Sequence, residues 1–194
     1  AEALNVLAGV YRRSERLAQA IDLYNQALRI ETAQLGSLHP NLVSTLRGLG
    51  IVARDQLRYD EALSYFQRAL SIQEKSLGAD NIRVSDYHIQ LVRTLLAMNR
   101  LDEAEQHAEK AVSIRRKADA RVDVERLTEA IYFLGEVKSA RGQLHESLKL
   151  HEEAMRLREQ QRGDRREEML AFSLTSAGEV LFQLGQAAAA RPYL

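Results

Sequence analysis

Apolar residues recur at helical spacing in paired blocks along the chain. Leu4, Leu7, Ala8 and Tyr11 form one block, and after a short polar break Ala20, Leu23, Tyr24, Ala27 and Leu28 form a second. Leu46, Leu49, Gly50 and Ala53, followed by Ala62, Phe66, Ala69 and Leu70, repeat both blocks. Intervals of three and four residues place such positions on one stripe of a helix, so each pair of blocks predicts two antiparallel helices that bury their stripes together.

The pairs are copies of one unit. Residues 20–30 align with 62–72 at a displacement of 42, and the register continues through 104–114 and, one residue later, 147–157. Ala27, Ala69, Ala111 and Ala154 are thus 42, 42 and 43 residues apart. A period of this size is the mark of a stacked array, in which no single hairpin can bury its own apolar face. Leu35-Gly36 recurs as Leu77-Gly78 and, two repeats on, as Gly163, where glycine caps a helix end; Ala120 holds that place in the third unit and predicts a weaker cap.

The pattern predicts helices at 1–14, 17–35, 40–56, 59–77, 81–98, 101–117, 121–141, 144–161 and 164–184, with a final fragment from 187. The fold class expected is all-α, an α-α superhelix or solenoid of about four and a half hairpins. Its repeats run about 1–38, 39–80, 81–122, 123–165 and an incomplete 166–194. Pro192 suggests a late start for the last helix, since proline is tolerated in a first turn. Neither end carries an obvious polar capping helix, so the chain reads as an excerpt of a longer protein. Small residues at Ala8, Gly50, Gly135 and Gly178 predict close helix approach, with Tyr24 and Phe66 filling the space between hairpins.

These residues resemble the tetratricopeptide repeat (TPR): leucine, small residue and tyrosine at Leu7, Ala8 and Tyr11, then alanine, aromatic, alanine at Ala20, Tyr24 and Ala27. The likeness covers essentially the whole chain. The 42-residue period, longer than the family's usual one, is similar to the kinesin light chain subgroup and to bacterial repeat proteins built the same way. The family's tryptophan is replaced by Leu4, Leu46, His88, Ile131 and Leu174, and in the fourth unit Lys138 and His151 replace the family's tyrosine and aromatic.

Composition narrows the function. Lys plus Arg and Asp plus Glu both number 27, which argues against a general nucleic-acid or anionic-membrane surface. No cysteine is present, removing thiolate metal sites, cysteine nucleophiles and disulfides and fitting a cytoplasmic setting. No apolar run reaches the roughly 20 residues that span a bilayer.

Five histidines, His39, His88, His107, His145 and His151, lack the three- or four-residue pairing that would bring two ligands to one helix face. His39 is better read as helping to start the second unit's first helix, with Pro40 near its first position. Asp60-Glu61, Asp102-Glu103 and Glu152-Glu153 are assigned to the opening turns of second helices, where acids complement the helix dipole. Arg115-Arg116-Lys117 and the basic stretch 162–166 fall at helix ends and carry no interleaved aromatics for base stacking. No phosphate loop or nucleophile elbow is present, so no enzyme activity, metal or cofactor is expected.

The TPR resemblance implies a partner-binding inner surface lined by the first helix of each unit. Carried onto this chain, its positions are Glu2, Asn5, Gly9, Arg12 and Arg13, then Ser44, Arg47, Ile51, Arg54 and Asp55, then Asp86, Ile89, Arg93, Leu96 and Ala97. The fourth unit supplies Glu129, Tyr132, Glu136, Ser139 and Ala140, and the fifth Phe172, Thr175, Glu179, Phe182 and Gln183. Arginines concentrate in the first three units and glutamates in the last two. The expected partner is a protein or peptide with acidic residues for the arginines and an apolar anchor for Ile51, Ile89 and Leu96. An interaction module, scaffold or adaptor is therefore the leading expectation. The alternative is a sensory array of a signalling protein or transcription regulator whose curvature responds to a ligand. End-to-end self-association is a further expectation.

Overall fold

The computed structural model describes residues 1–118, 124–159 and 166–193. In chain order they form α1 (Glu2–Arg13), α2 (Leu17–Leu35), α3 (Leu42–Asp55), α4 (Tyr59–Leu77), α5 (Ile82–Ala97), α6 (Leu101–Lys117), α7 (Val124–Ala140), α8 (Leu144–Glu159), α9 (Arg166–Gln183) and α10 (Ala187–Ala190). A 3-10 turn at Arg191–Tyr193 follows. No strand occurs among the described residues, and the all-α hairpin class expected from the pattern is the class observed. The chain divides into two compact units, Ala1–Met98 and Asn99–Leu194.

Hairpin turns follow the repeat. Positive φ angles fall at Glu15, Leu57 and Asn99 and then at Gly142 and Gly185, successive members 42, 42, 43 and 43 residues apart. Each of these positions takes one left-handed residue, and only the last two supply glycine, for which that conformation is free of steric cost. Between repeats, Gly36 and Gly78 both end their helices at φ 87°, their N–H groups donating to the Thr32 and Glu74 carbonyls. Gly163 and Ala120 lie outside the described residues.

Predicted helix ends shift by a residue or two, with local causes. α3 begins at Leu42 and not at Pro40, because His39 Nδ1 accepts the Asn41 N–H at 3.2 Å and holds a turn ahead of the helix. α5 is capped by Asn81, whose side chain accepts from the Arg83 N–H at 3.0 Å. The last helix starts at Ala187, and Pro192 sits in the 3-10 turn after it, so the expected late start at the proline does not occur. Glu152 and Glu153 lie in the middle of α8, whose first-turn acid is Glu146, whereas Asp60, Glu61, Asp102 and Glu103 do occupy opening turns.

In the first unit the core joins Ala8, Ala20, Tyr24, Leu49 and Val52, with Tyr11, Leu17, Ile21, Leu23, Leu28 and Tyr65 packed around it. Tyr24 reaches from α2 onto α3, where a Cβ on Gly48 would stand 2.4 Å from its ring; Phe66 packs on Gly50 in the same manner at 2.6 Å. A buried polar bridge ties three helices: Thr45 donates to Glu31 at 2.7 Å, and Asn5 Nδ2 donates to both Glu31 and Thr45 at 3.1 and 2.7 Å.

In the second unit, fully buried Ala108, Ala111, Ile131 and Val137 form the apolar interior. His151 takes the aromatic position on α8 and packs on Gly135, where a Cβ would lie 2.8 Å from Cε1. Lys138, in place of the family's tyrosine, pairs with Glu105 of α6 and, at 3.1 Å, with Glu146 of α8. Arg141 pairs with Asp102 and, at 3.0 Å, with Glu105. A charged lattice therefore joins α6, α7 and α8.

Candidate peptide-binding surface

A depression of about 330 Å³ opens on the first unit where α1, α2 and α3 meet. α1 contributes Asn5, Val6, Gly9, Arg12 and Arg13, and α3 contributes Ser44, Arg47, Gly48 and Ile51, with the Tyr24 ring between them. Intervals of three and four along both helices put these residues on facing stripes. Seven positions implied by the family resemblance, Asn5, Gly9, Arg12, Arg13, Ser44, Arg47 and Ile51, thus surround one hollow. Gly9 leaves room, since a Cβ there would come no nearer to Tyr24 than 3.7 Å, and Gly48 admits the tyrosine ring. Pattern reading had not selected Tyr24, Gly48 or Val6 for this surface; two glycines inside one helix, Gly48 and Gly50, were the available signal, because each weakens the helix unless something packs on it.

The lining carries three arginines and no acidic side chain. Arg13 and Arg47 are exposed and enter no ion pair among the described residues. Arg12 lies 4.0 Å from Asp55, a half-exposed contact worth little in water. Val6 is 65% exposed and, with half-buried Ile51, gives the hollow an apolar wall.

Other expected positions are used differently. Arg54 donates to Gln90 of α5 at 2.8 Å and lies over the Phe66 ring at 5.7 Å, so it fastens α3 to its neighbours. Burial, aided by Arg93, draws its guanidinium down to about 10, against the pull of Asp55, and leaves it charged at neutral pH. Ile89 is 3% exposed and supplies no apolar anchor, which corrects that expectation: it faces the interior. Arg93 is exposed and Leu96 half-buried on α5, outside the lining of the hollow. Asn5 is half spent on the Glu31–Thr45 bridge.

The second unit brings Tyr132, Glu136 and Glu179 together. Ser176 hydrogen-bonds Glu136 and lies 3.5 Å from the Tyr132 hydroxyl, while Glu179 acts on both groups. Burial raises the Glu136 carboxyl, the Ser176 bond opposing and Glu179 adding to the shift. Burial likewise raises the Tyr132 phenol. Phe182 is 67% exposed on α9. Of the basic stretches, Arg115 is buried and Arg116 pairs with Glu153 at 2.9 Å, so 115–117 is no free cationic strip; residues 162–165 lie outside those described. No described helix is long and apolar enough to cross a membrane.

Paired helices at a period of 42 or 43 residues, with a lined hollow on the first unit, define a helical-repeat array. The tetratricopeptide-repeat family model matches residues 1–75, 49–117 and 127–194, and the chain belongs to that family. Its structure is similar to that of a Podosopora anserina chain of nearly identical TPR-like repeats, named for kinesin light chain (TM-score 0.82, 20% identity, 99% of this chain and 90% of that one). It is also similar to BtubC (BKLC) of P. vanneervenii (TM-score 0.85, 19% identity, 100% and 76%) and to MamA (TM-score 0.66, 16% identity, 96% and 89%). These likenesses establish the fold. In sequence, 92 residues are 37% identical to a clustered mitochondria protein homolog of Meyerozyma guilliermondii, covering 47% of this chain and 7% of that protein. The repeats of this family generally mediate protein–protein interactions, and the fold typically serves as a non-catalytic scaffold.

Proposed function

We propose that the chain is an adaptor module that holds an acidic peptide segment of a partner protein in the hollow between α1 and α3. The observation that carries this reading is the charge there: Arg13 and Arg47, exposed and in no ion pair among the described residues, line with Arg12 a hollow whose lining includes no carboxylate. Guanidinium forks bind carboxylates in two-point fashion, which suits exposed, unpaired arginines. Val6, Ile51 and the Tyr24 ring add apolar surface, so the preferred segment sets one apolar residue among its acids.

The test is a pull-down with the full chain and an Arg13→Glu/Arg47→Glu variant as baits. Both residues are exposed, so reversal leaves the core intact. Partners captured by the parent and lost by the variant support the reading, and an identical set of partners contradicts it. Because Val6, Leu7 and Val10 of α1 are exposed, sedimentation at the working concentration should accompany the assay to separate partner binding from self-association.

A further inference from the structure

We infer that the second unit carries a subsite for a cationic side chain, a guanidinium or ammonium group, held by Glu136 and Glu179 beside Tyr132. This inference is independent of the reading of the first unit.

Tyr132 and Glu136 lie one turn apart on α7, and Ser176 and Glu179 one turn apart on α9; Ser176 Oγ stands 3.5 Å from the Tyr132 hydroxyl, so the two helices turn these faces towards each other, and like charges so placed repel unless a cation joins them. Among the described residues neither glutamate is paired with lysine or arginine. The nearby cations, Lys138 of α7 and Arg141 just past its end, are already engaged: Lys138 with Glu105 and Glu146, Arg141 with Asp102 and Glu105. Glu136 has one basic neighbour, His151, whose Nε2 lies 3.4 Å from Oε1. That imidazole is fully buried, and neither ring nitrogen has a hydrogen-bond partner. Burial pulls it down to about 4, so it stays neutral and does not cancel the carboxylate.

The acceptor set is therefore the Glu136 carboxylate, about a third exposed, the exposed Glu179, and the half-buried Tyr132 with its oxygen and ring, backed by the buried Ser176. A group with several N–H donors and a positive charge is its complement, and an aromatic ring nearby adds attraction for a cation. Phe182, three residues beyond Glu179 on the same face of α9 and 67% exposed, offers apolar surface for the stem of a long basic side chain. Among the described residues no three metal-ligating side chains converge, so a side-chain cation fits the set better than a chelated ion.

The experiment is a heteronuclear NMR titration of the full labelled chain with N-acetyl-arginine amide, and with its neutral isostere N-acetyl-citrulline amide, at constant ionic strength. Saturable shifts centred on Tyr132, Glu136, Ser176 and Glu179 with the arginine probe and not with citrulline are expected. Affinity should fall at least fivefold in Glu136→Gln and, with no disturbance of the core, in the exposed Glu179→Gln. Equal response to both probes, shifts that do not saturate, or an unchanged affinity in Glu179→Gln would overturn the inference.

Discussion

Gly50 lies beneath the Phe66 ring so closely that a Cβ would meet Cε1 at 2.6 Å, and Gly48 stands in the same relation to Tyr24 at 2.4 Å. Alanine at either place gains about 1 kcal/mol of helix propensity but drives a methyl into a buried ring that has nowhere to go, at about 1–3 kcal/mol. Gly50→Ala and Gly48→Ala should therefore destabilise the chain. Gly9→Ala, with 3.7 Å of clearance, should leave it unchanged or stabilise it. Urea denaturation midpoints of the three variants check the order.

Leu57 turns the second hairpin at φ 61° with 70% of its side chain exposed, where the fourth and fifth hairpins use glycine. A left-handed leucine costs about 1–2 kcal/mol, part of which glycine returns to the unfolded chain as entropy. Leu57→Gly should raise the urea midpoint by the equivalent of about 0.5–1 kcal/mol, and Leu57→Val, β-branched and still less tolerant of this conformation, should lower it.

The buried imidazole of His151 makes stability depend on pH. Its folded value of about 4 lies below the ordinary 6.5, so the unfolded chain binds the proton first and stability declines as pH falls from 6.5 towards 4. At pH 5 the loss from this group alone is about 2 kcal/mol. Glu136, whose carboxyl is raised, acts in the opposite sense, gaining stability as it protonates on the way down towards its ordinary value, and so reduces the net decline. His151→Phe, which can rest on Gly135 as Phe66 rests on Gly50, should be more stable than the parent at pH 5 by a wider margin than at pH 7.5. Denaturation curves at the two values decide it; equal margins would contradict the assignment.

The period, the helix pairs and the caps at Gly36 and Gly78 were legible because they depend on residues close in sequence. The hairpin turns were half legible: Gly142 and Gly185 announce a left-handed position, but Glu15, Leu57 and Asn99 in the same register do not. Surface residues were harder. Asn5, Arg54 and Ile89 occupy positions the family turns to its partner, yet Asn5 is drawn to Glu31 and Thr45, Arg54 to Gln90 and Phe66, and Ile89 to the interior. Those partners lie far along the chain, and a periodic pattern fixes the face of a helix without fixing which long side chain is captured on it. The charged lattice through Lys138 escaped for the same reason: a lysine at a tyrosine position reads as drift until Glu105 and Glu146 are found around it.

The central claim, that Arg12, Arg13 and Arg47 make the first unit's hollow a site for acidic peptides, is tested most directly by calorimetry. The full chain and its Arg13→Glu/Arg47→Glu variant are titrated with a short peptide of acidic residues around one leucine, at low and moderate salt. The expected result is saturable binding by the parent that weakens with salt and falls at least tenfold, about 1.4 kcal/mol, in the variant. Equal affinity of parent and variant would contradict the account.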